Sequence, residues 1–280
     1  MKNTEIEQPL LELRNVKFSY IDEPKPLLNI KELVINHGDK VGIIGDNGSG
    51  KSTIVKIILG LKTPTGIVNI FGSKALWGNH YSQLGYIGDP SLSPGYTGLP
   101  TGISVREMLN TFERICNIEE KDFADFKKAL DFDSYLDNDI KFLSNGQRKR
   151  LMIYLALAKR PKLIIADEAT DGLDKSRQFV IEQIEKIYQE YKPSILWISH
   201  QHDEVARLTD TIYELSDGEL NSVTKNRFSC NVNTHPQTYL CGNRHNLTSK
   251  GWLELTARIY TNPDISSFEI KGERTQGEDN

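Results

Sequence analysis

The segment GDNGSGKST, from Gly45 to Thr53, combines three glycines with a lysine and two closing hydroxyl residues. It fits the pattern G-x-x-x-x-G-K-[ST], in which glycines let successive backbone N–H groups point at a phosphate. Lys51 would bring positive charge to the β- and γ-phosphates, and the Ser52 hydroxyl is a candidate ligand of Mg²⁺. The residues of this predicted phosphate loop are Gly45, Asp46, Asn47, Gly48, Ser49, Gly50, Lys51, Ser52 and Thr53.

Two adjacent acidic residues follow a separate apolar run, LIIADE, which ends in Asp167 and Glu168. Ligands of open α/β sheets bind at the carboxyl ends of the strands. Asp167 is therefore the expected partner of Mg²⁺, through water, and Glu168 is expected to polarise a water molecule that attacks a γ-phosphate. Two solvated acids at a strand end would be the simpler interpretation in a chain without the phosphate loop.

The elements that position these residues alternate between buried strands and helices. Residues 40–45, residues 162–168 and the segment SILWISH are short and almost wholly apolar, as expected for strands covered on both faces. Residues 9–20 alternate like a half-buried strand, and the pattern from about 89 to 160 is helical. The sequence therefore predicts an α/β fold with a mainly parallel sheet that is interrupted by a helical insertion.

The final 60 or so residues lose this rhythm and end in the polar segment KGERTQGEDN. We predict one domain over residues 1–220, with its helical subdomain at about 89–160, and a small C-terminal appendage over 221–280 whose end is disordered. The appendage contains metal-ligand residue types in a spacing that fits no zinc pattern, so we expect unrelated surface residues. They are Cys230, His235, Cys241 and His245.

Composition limits the classes of function. Lys and Arg total 34 against 38 Asp and Glu, a formal charge of −4, which argues against non-specific nucleic-acid binding. Three scattered cysteines indicate a reducing compartment. We find no signal-peptide pattern and no run approaching the roughly 18 apolar residues of a spanning helix. We therefore expect a cytoplasmic protein that reaches a membrane only through partners.

The order of the motifs resembles one family, the ATP-binding cassette ATPases that drive ABC transporters. The segment LSNGQRKR, which alone could be a solvated helix start, a nucleic-acid patch or an anion site, resembles the family signature LSGGQ. It precedes LIIADEATDGLD by the short spacing typical of the family, and ILWISHQHDE resembles the strand that ends in the switch histidine. The resemblance covers roughly residues 8–218 and implies a P-loop NTPase core with an N-terminal antiparallel β-subdomain and a helical insertion.

The resemblance also assigns roles around the nucleotide. Tyr20, in KFSY, matches the aromatic residue that stacks on adenine, with an ordinary strand tyrosine as the alternative. His200 matches the histidine that hydrogen-bonds the γ-phosphate and helps to hold the attacking water. Glu168 and His200 are thus the candidate catalytic residues. His202, two positions on, is predicted to be a solvated residue of the next turn.

In this family the signature turn caps the ATP of a second cassette that faces it head to tail, and hydrolysis releases the pair. The resemblance therefore implies ATP and Mg²⁺ as ligands, and a second cassette, in a homodimer or heterodimer, as a partner. It further implies polytopic membrane subunits at the cytoplasmic face and no nucleic acid. The residues that match those meeting the opposing cassette are Ser144, Gly146 and Gln147 of the signature and Gly172, Leu173 and Asp174 after the catalytic acid.

Three positions depart from the family pattern. Asp89 stands where the family usually has a glutamine, after the strand in LGYIGDPSL. Either Asp89 replaces it as a metal contact or the position is lost, and a further negative charge near triphosphate is costly unless metal offsets it. Asn145 replaces the first signature glycine, which we expect to be tolerated because asparagine adopts left-handed conformations and caps helices. Ala169 replaces a proline.

The full motif set predicts an ATP-binding and ATP-hydrolysing subunit of an ABC transporter. One alternative is a soluble ATPase of the same family that acts in translation or DNA maintenance. Such proteins usually carry two cassettes or long coiled-coil insertions, which this chain lacks. A second alternative is a regulatory cassette that binds ATP and hardly hydrolyses it, as the missing glutamine suggests, although Glu168 and His200 argue against it.

Overall fold

The computed structural model describes residues 8–21, 25–76, 80, 82–89, 99–119, 123–173, 177–223, 228–234, 238–240 and 265–272. The strands are β1 (Leu11–Phe18), β2 (Leu28–Ile35), β3 (Lys40–Ile44), β4 (Thr65–Ile70), β5 (Ser73–Lys74), β6 (Leu84–Ile87), β7 (Leu163–Asp167), β8 (Ser194–Ile198), β9 (Thr211–Ser216), β10 (Glu219–Val223), β11 (Phe228–Thr234), β12 (Thr238–Leu240) and β13 (Ile265–Gly272). The helices are α1 (Lys51–Ile58), α2 (Val105–Cys116), α3 (Ala124–Ala129), α4 (Asn145–Leu157), α5 (Arg177–Tyr191) and α6 (His202–Leu208).

The central sheet has the strand order β10-β9-β3-β8-β7-β6. The five strands from β9 to β6 pair in parallel, and β10 joins antiparallel at one edge. Strands β7 and β8 are buried along their whole length because helices and a second sheet cover both faces, which explains their continuous apolar sequence. The predicted α/β fold with a mainly parallel sheet is confirmed.

A four-stranded antiparallel sheet, with the order β2-β1-β4-β5, packs on one face of the core. Its alternating pattern buries Leu11, Leu13 and Val16 of β1 in a cluster with Ile43 of β3 and Ile54 of α1. Each such side chain contributes about 1.5–3 kcal/mol relative to exposure. This cluster anchors α1, and therefore the loop before it, against both sheets.

The helical insertion contains α2, α3, two 3₁₀ turns and α4. Helix α2 begins with a capping box, in which the Ser104 hydroxyl accepts from the Glu107 backbone N–H and the Glu107 carboxylate accepts from the Ser104 N–H. Tyr154 of α4 is fully buried, and its hydroxyl donates to Glu113 of α2 at 2.6 Å. The aromatic rings around Tyr154 join α4 to the rest of the insertion; they belong to Phe112, Phe123, Phe126 and Phe132.

Strands β11, β12 and β13, which follow residue 223, form a third sheet with the order β12-β11-β13 and antiparallel pairing. Composition alone predicted an appendage without assigned strands, because these segments lack the long apolar runs that mark buried strands. Cys230 lies in β11, whereas His235, Cys241, His245 and the predicted disordered end lie outside the described residues. The domain boundaries stay a prediction.

Candidate active site

The phosphate loop leaves β3 and enters α1 with its last glycine in a left-handed conformation. Gly50 has φ +108, and a Cβ there would lie 2.9 Å from Leu28 Cδ2, so the position requires glycine. The Gly50 carbonyl accepts from the backbone N–H groups of Thr53 and Ile54, which starts the helix. The loop therefore presents the N-terminal end of α1, with its free N–H groups and positive dipole, to the site.

The Lys51 side chain is buried and curls over the loop. Its Nζ donates to the carbonyls of Gly45 at 2.6 Å and Asp46 at 3.0 Å. Its positive charge is thus held at the phosphate loop. This geometry suits an anion, since the ammonium can exchange backbone carbonyls for phosphate oxygens.

Beyond the loop lies a cleft of about 1070 Å³, which is large enough for a nucleotide. Tyr20 lines this cleft and is 40% exposed, with its hydroxyl 3.2 Å from Thr53 Oγ1. Lys62 Nζ lies 5.2 Å from the centre of the Tyr20 ring, a cation–π contact that helps to fix the ring. The predicted adenine-stacking residue therefore lies in the same cleft as the phosphate loop. The cleft is also lined by Lys25, Pro26, Leu27, Asp217 and Gly218.

Asp167 and Ser52 bring two oxygen-bearing side chains together beside the loop. Asp167 is nearly buried, and its carboxylate accepts a hydrogen bond from Ser52. Burial, and then the neighbouring Glu168, raise the pKa of Asp167 to about 6, while Lys51 opposes the shift. Asp167 Oδ1 is buried and has no hydrogen-bond partner among the described residues. A buried, unpaired carboxylate oxygen next to a hydroxyl fits a hard divalent cation such as Mg²⁺.

Asp89 lines a second cavity together with Ser52, Asp167 and Glu168. This residue, which stands in place of the family glutamine, follows the end of β6, and its backbone N–H donates to the Tyr86 hydroxyl at 3.0 Å. Asp89 therefore lines the same cavity as the two acids at the end of β7.

Glu168 follows Asp167 in a left-handed conformation, with φ +48, and its backbone N–H donates to the Ile198 carbonyl at 2.9 Å. Its carboxylate accepts from the backbone N–H of His200 at 3.2 Å and from Ser199 Oγ at 3.3 Å. His200 Nδ1 lies 2.9 Å from Glu168 Oε2. The two predicted catalytic residues are thus brought together from the ends of adjacent parallel strands.

The signature turn is a capped helix start. Ser144 is the N-cap of α4, with its hydroxyl accepting from Gln147 N–H at 3.2 Å and Gln147 Oε1 accepting from Ser144 N–H at 2.9 Å. Asn145 is the first helical residue, and its backbone is not left-handed. Hence a residue other than glycine fits there without strain, and the cap is Ser144 rather than Asn145. At Gly146 an added Cβ would lie 3.4 Å from the Gly172 carbonyl.

The structure corrects the expectation for His202 and does not describe Asp174. His202 is the first residue of α6 and is half-buried, so burial lowers its pKa; the prediction of a solvated residue was wrong because α6 packs against the sheet. Leu173 is buried beneath the turn that includes Gly172. Asp174 lies outside the described residues.

Sequence reasoning missed a buried carboxylate behind the site. Glu204 is 1% exposed, and its carboxylate accepts from Arg177 Nε at 2.6 Å, from Trp197 Nε1 at 3.3 Å and from the Thr170 hydroxyl. Ser199 Oγ lies 3.5 Å from Glu204 and 3.3 Å from Glu168, so it links the two acids. The segment HDEVARL carries two adjacent acids at a helix start, and nothing local marks the second as buried.

Together, the strand–loop–helix phosphate cradle, the two acids at the end of β7 and the histidine after β8 define a P-loop nucleotide-binding protein. A family model described as ABC transporter matches residues 28–171. The chain is 36% identical over 224 residues to the energy-coupling factor transporter ATP-binding protein EcfA1 of Mycoplasma mobile, an alignment that covers 79% of this chain and 81% of that protein.

The chain is also 32% identical over 214 residues to the Nod factor export ATP-binding protein I of Rhizobium meliloti, covering 74% of this chain and 62% of that protein. A solved structure described as the ATP binding subunit of an ABC transporter shares the fold, with a TM-score of 0.64 and 24% identity over 77% of this chain and 90% of that one. The chain belongs to the ABC transporter family, as an ATP-binding subunit. Among the described residues, no helix is long and apolar enough to cross a membrane.

Proposed function

We propose that this chain hydrolyses ATP and acts as one of two cassettes that close head to tail on the cytoplasmic face of polytopic membrane subunits. The observation that carries the proposal is the placement of Glu168. Glu168 is the residue after the buried Asp167. Its carboxylate contacts His200 and Ser199 at the edge of the phosphate loop.

Each group at the site has a distinct task in this proposal. Lys51 and the N–H groups at the start of α1 bind the phosphates, and Tyr20 stacks on adenine. Ser52 and Asp167 would hold Mg²⁺, with Asp89 as a further candidate ligand; the ion supplies charge neutralisation on the phosphates. Glu168 accepts a proton from the attacking water as that water approaches the γ-phosphate.

His200 orients this reaction from the neighbouring strand. With Nδ1–H donating to Glu168, Nε2 of the neutral ring can accept from the water, and Nε2 of the protonated ring can donate to a γ-phosphate oxygen. Binding both the carboxylate and the phosphate would fix the distance between base and substrate, which is the main contribution of positioning to catalysis.

In this proposal the second cassette contacts this chain at the start of α4. Ser144, Gly146 and Gln147 lie at an exposed or half-exposed helix N-terminus, which is suited to bind the γ-phosphate held by a partner. The relatives' names are those of transporter ATP-binding proteins, which supports partnership with membrane subunits. Soluble roles in translation or DNA maintenance are not favoured.

The first test is Glu168→Gln in the full chain, purified with its membrane partners. We expect phosphate release to fall by about 100-fold or more, because the base is lost while ATP binding remains, and the ATP-bound dimer to accumulate. Glu182→Gln, on the exposed face of α5, is the matched control and should retain activity. Unchanged phosphate release in Glu168→Gln would mean that Glu168 is not the base.

The second test concerns the partners. The tagged chain, isolated in mild detergent from the cells that produce it, is expected to co-purify with a polytopic membrane protein. A stable complex that contains only water-soluble proteins would contradict the transport role and would leave the hydrolysis test untouched.

A further inference from the structure

Lys149 connects the signature helix to the loop that carries the candidate base. It is the fifth residue of α4, and its Nζ donates to the backbone carbonyls of Glu168 at 2.5 Å and Asp171 at 2.8 Å. The side chain is half-buried, so desolvation opposes its charge, whereas the carboxylates of Asp171 and Glu168 favour it. The ammonium therefore joins α4 to two carbonyl groups that lie 19 and 22 residues further along the chain.

The Glu168 peptide needs such support because its backbone is in the left-handed region, which is unfavourable for a residue with a Cβ. On one side, its N–H is fixed by the Ile198 carbonyl of β8. On the other side, its carbonyl accepts from Lys149 and, at 3.3 Å, from the Asp171 N–H. The direction of the Glu168 side chain therefore depends on both β8 and α4.

The same two segments also approach each other at a second place. Gly146, in the first turn of α4, lies near the turn after Glu168, since a Cβ added to it would be 3.4 Å from the Gly172 carbonyl oxygen. The first turn and a half of α4 thus contacts the 168–172 turn through Lys149 and lies close to it at Gly146. A shift or rotation of the start of α4 must move the Glu168 carbonyl or break the Lys149 contact.

We infer that Lys149 is a positioning residue that holds the Glu168 peptide and couples it to the start of α4. The inference rests on the proposed function, in which the start of α4 binds the ATP of the partner cassette while Glu168 serves the ATP of its own chain. Lys149 then makes the position of Glu168 depend on whether the partner cassette has ATP bound against the start of α4. This coupling acts between two ATP sites of one dimer and requires no movement of the phosphate loop.

The test uses Lys149→Gln and Lys149→Met in the full chain with its partners; both side chains are unbranched and suit a helix. We expect kcat to fall about 10-fold or more because the base is misplaced, while ADP affinity stays within about 2-fold of wild type. The Hill coefficient for ATP should fall toward 1. Lys149→Arg, which keeps the charge and several donors, should restore most of kcat. Should one of the two neutral variants not fold, the other carries the same test.

Arg150→Gln is the matched control, since Arg150 is the next residue of α4 and contacts the Leu130 carbonyl and Asp131 instead. It should keep the wild-type Hill coefficient. Wild-type kcat and Hill coefficient in Lys149→Gln would overturn the inference, as would a loss that arginine does not relieve and that Arg150→Gln reproduces. If Glu168→Gln abolishes hydrolysis while Lys149→Gln behaves as wild type, the proposed function stands and only this coupling fails.

Discussion

His200 Nδ1 and Glu168 Oε2 are 2.9 Å apart, although the two residues belong to loops that follow different strands. The contact exists because β7 and β8 are parallel neighbours, paired from Leu163↔Ser194 to Asp167↔Ile198, so both strands end at the same edge of the sheet. Glu168 is 25% and His200 49% exposed at the side chain, which leaves the pair accessible from solvent.

We predict that His200→Ala lowers kcat by about 100-fold, because Glu168 loses its orienting partner and the γ-phosphate loses a donor. ATP affinity should change only a few-fold, since the phosphate loop remains. Steady-state phosphate release and nucleotide titration separate the two effects. His37→Ala, at an exposed turn, is the control. Equal losses of kcat and ATP affinity in His200→Ala would contradict a role confined to the reacting phosphate.

Asp89 gives a second prediction because it lines the cavity that also includes Ser52 and Asp167. Asp89→Asn removes one carboxylate from this cavity and should raise the Mg²⁺ concentration needed for half-maximal hydrolysis several-fold. The control is Asp133→Asn, at an exposed position of the helical insertion. A lower Mg²⁺ requirement in Asp89→Asn would show that Asp89 repels the triphosphate rather than assisting the metal.

Glu204 should matter more for stability than a partly exposed acid that is also paired with an arginine. Glu204→Ala leaves Arg177, Thr170 and Trp197 without this acceptor and is expected to cost about 3–5 kcal/mol. Glu185→Ala breaks a partly exposed pair with Arg207 and should cost about 1 kcal/mol or less. Urea denaturation of both variants measures the difference. Similar costs for the two would contradict the structural role assigned to Glu204.

Lys159, at the end of the helical insertion, gives a prediction about pH. Burial lowers its pKa to about 8 from 10.5, with Cys116 opposing the shift. Between these values the unfolded chain holds more protons than the folded one, so the free energy of unfolding should rise with pH from about 8 to 10.5. Below pH 8 the charged amine costs at most about 3 kcal/mol.

Lys159→Met should therefore stabilise the protein at pH 7, by about 1–3 kcal/mol, with an advantage over wild type that shrinks above pH 8. Denaturant unfolding at pH 7, 8, 9 and 10 follows this difference. Lys186→Met, on the exposed face of α5, should show no such trend. An advantage that stays constant across the series would indicate a packing effect instead of a charge effect.

The strands and the phosphate loop could be predicted from sequence because each is a local unit. GDNGSGKST lies between an apolar run and a helix, and LIIADE and SILWISH each end in polar residues. Since parallel strands share a carboxyl edge, Asp167 and Glu168 are predicted to lie near the loop, and the structure brings them to one cavity with Ser52. The role of His200 beside them is implied by the family resemblance, and its ring lies against Glu168.

The contacts behind the site could not be predicted in this way. Lys149 meets Glu168 only because α4 packs on the turn after β7, and Glu204 is buried only because α6 packs against β3 and β8. Both depend on how distant segments pack, and both residues look like ordinary exposed charges in their own segments. The strands after residue 223 escaped prediction for a related reason, since backbone pairing there is not accompanied by apolar runs.

The register of the central sheet also determines where the chain can change length. Gly42 and Ala166 both pair with Trp197, so the segments after β3, β7 and β8 leave the sheet within a residue or two of one another. One inserted or deleted residue inside β7 or β8 would move Glu168 past His200 by about 3.3 Å and reverse the side chains beyond it. Insertions between α2 and α3 disturb no such alignment. Variants and natural relatives that differ in length are therefore expected to differ in the helical insertion and after residue 223, with β3, β7 and β8 of constant length.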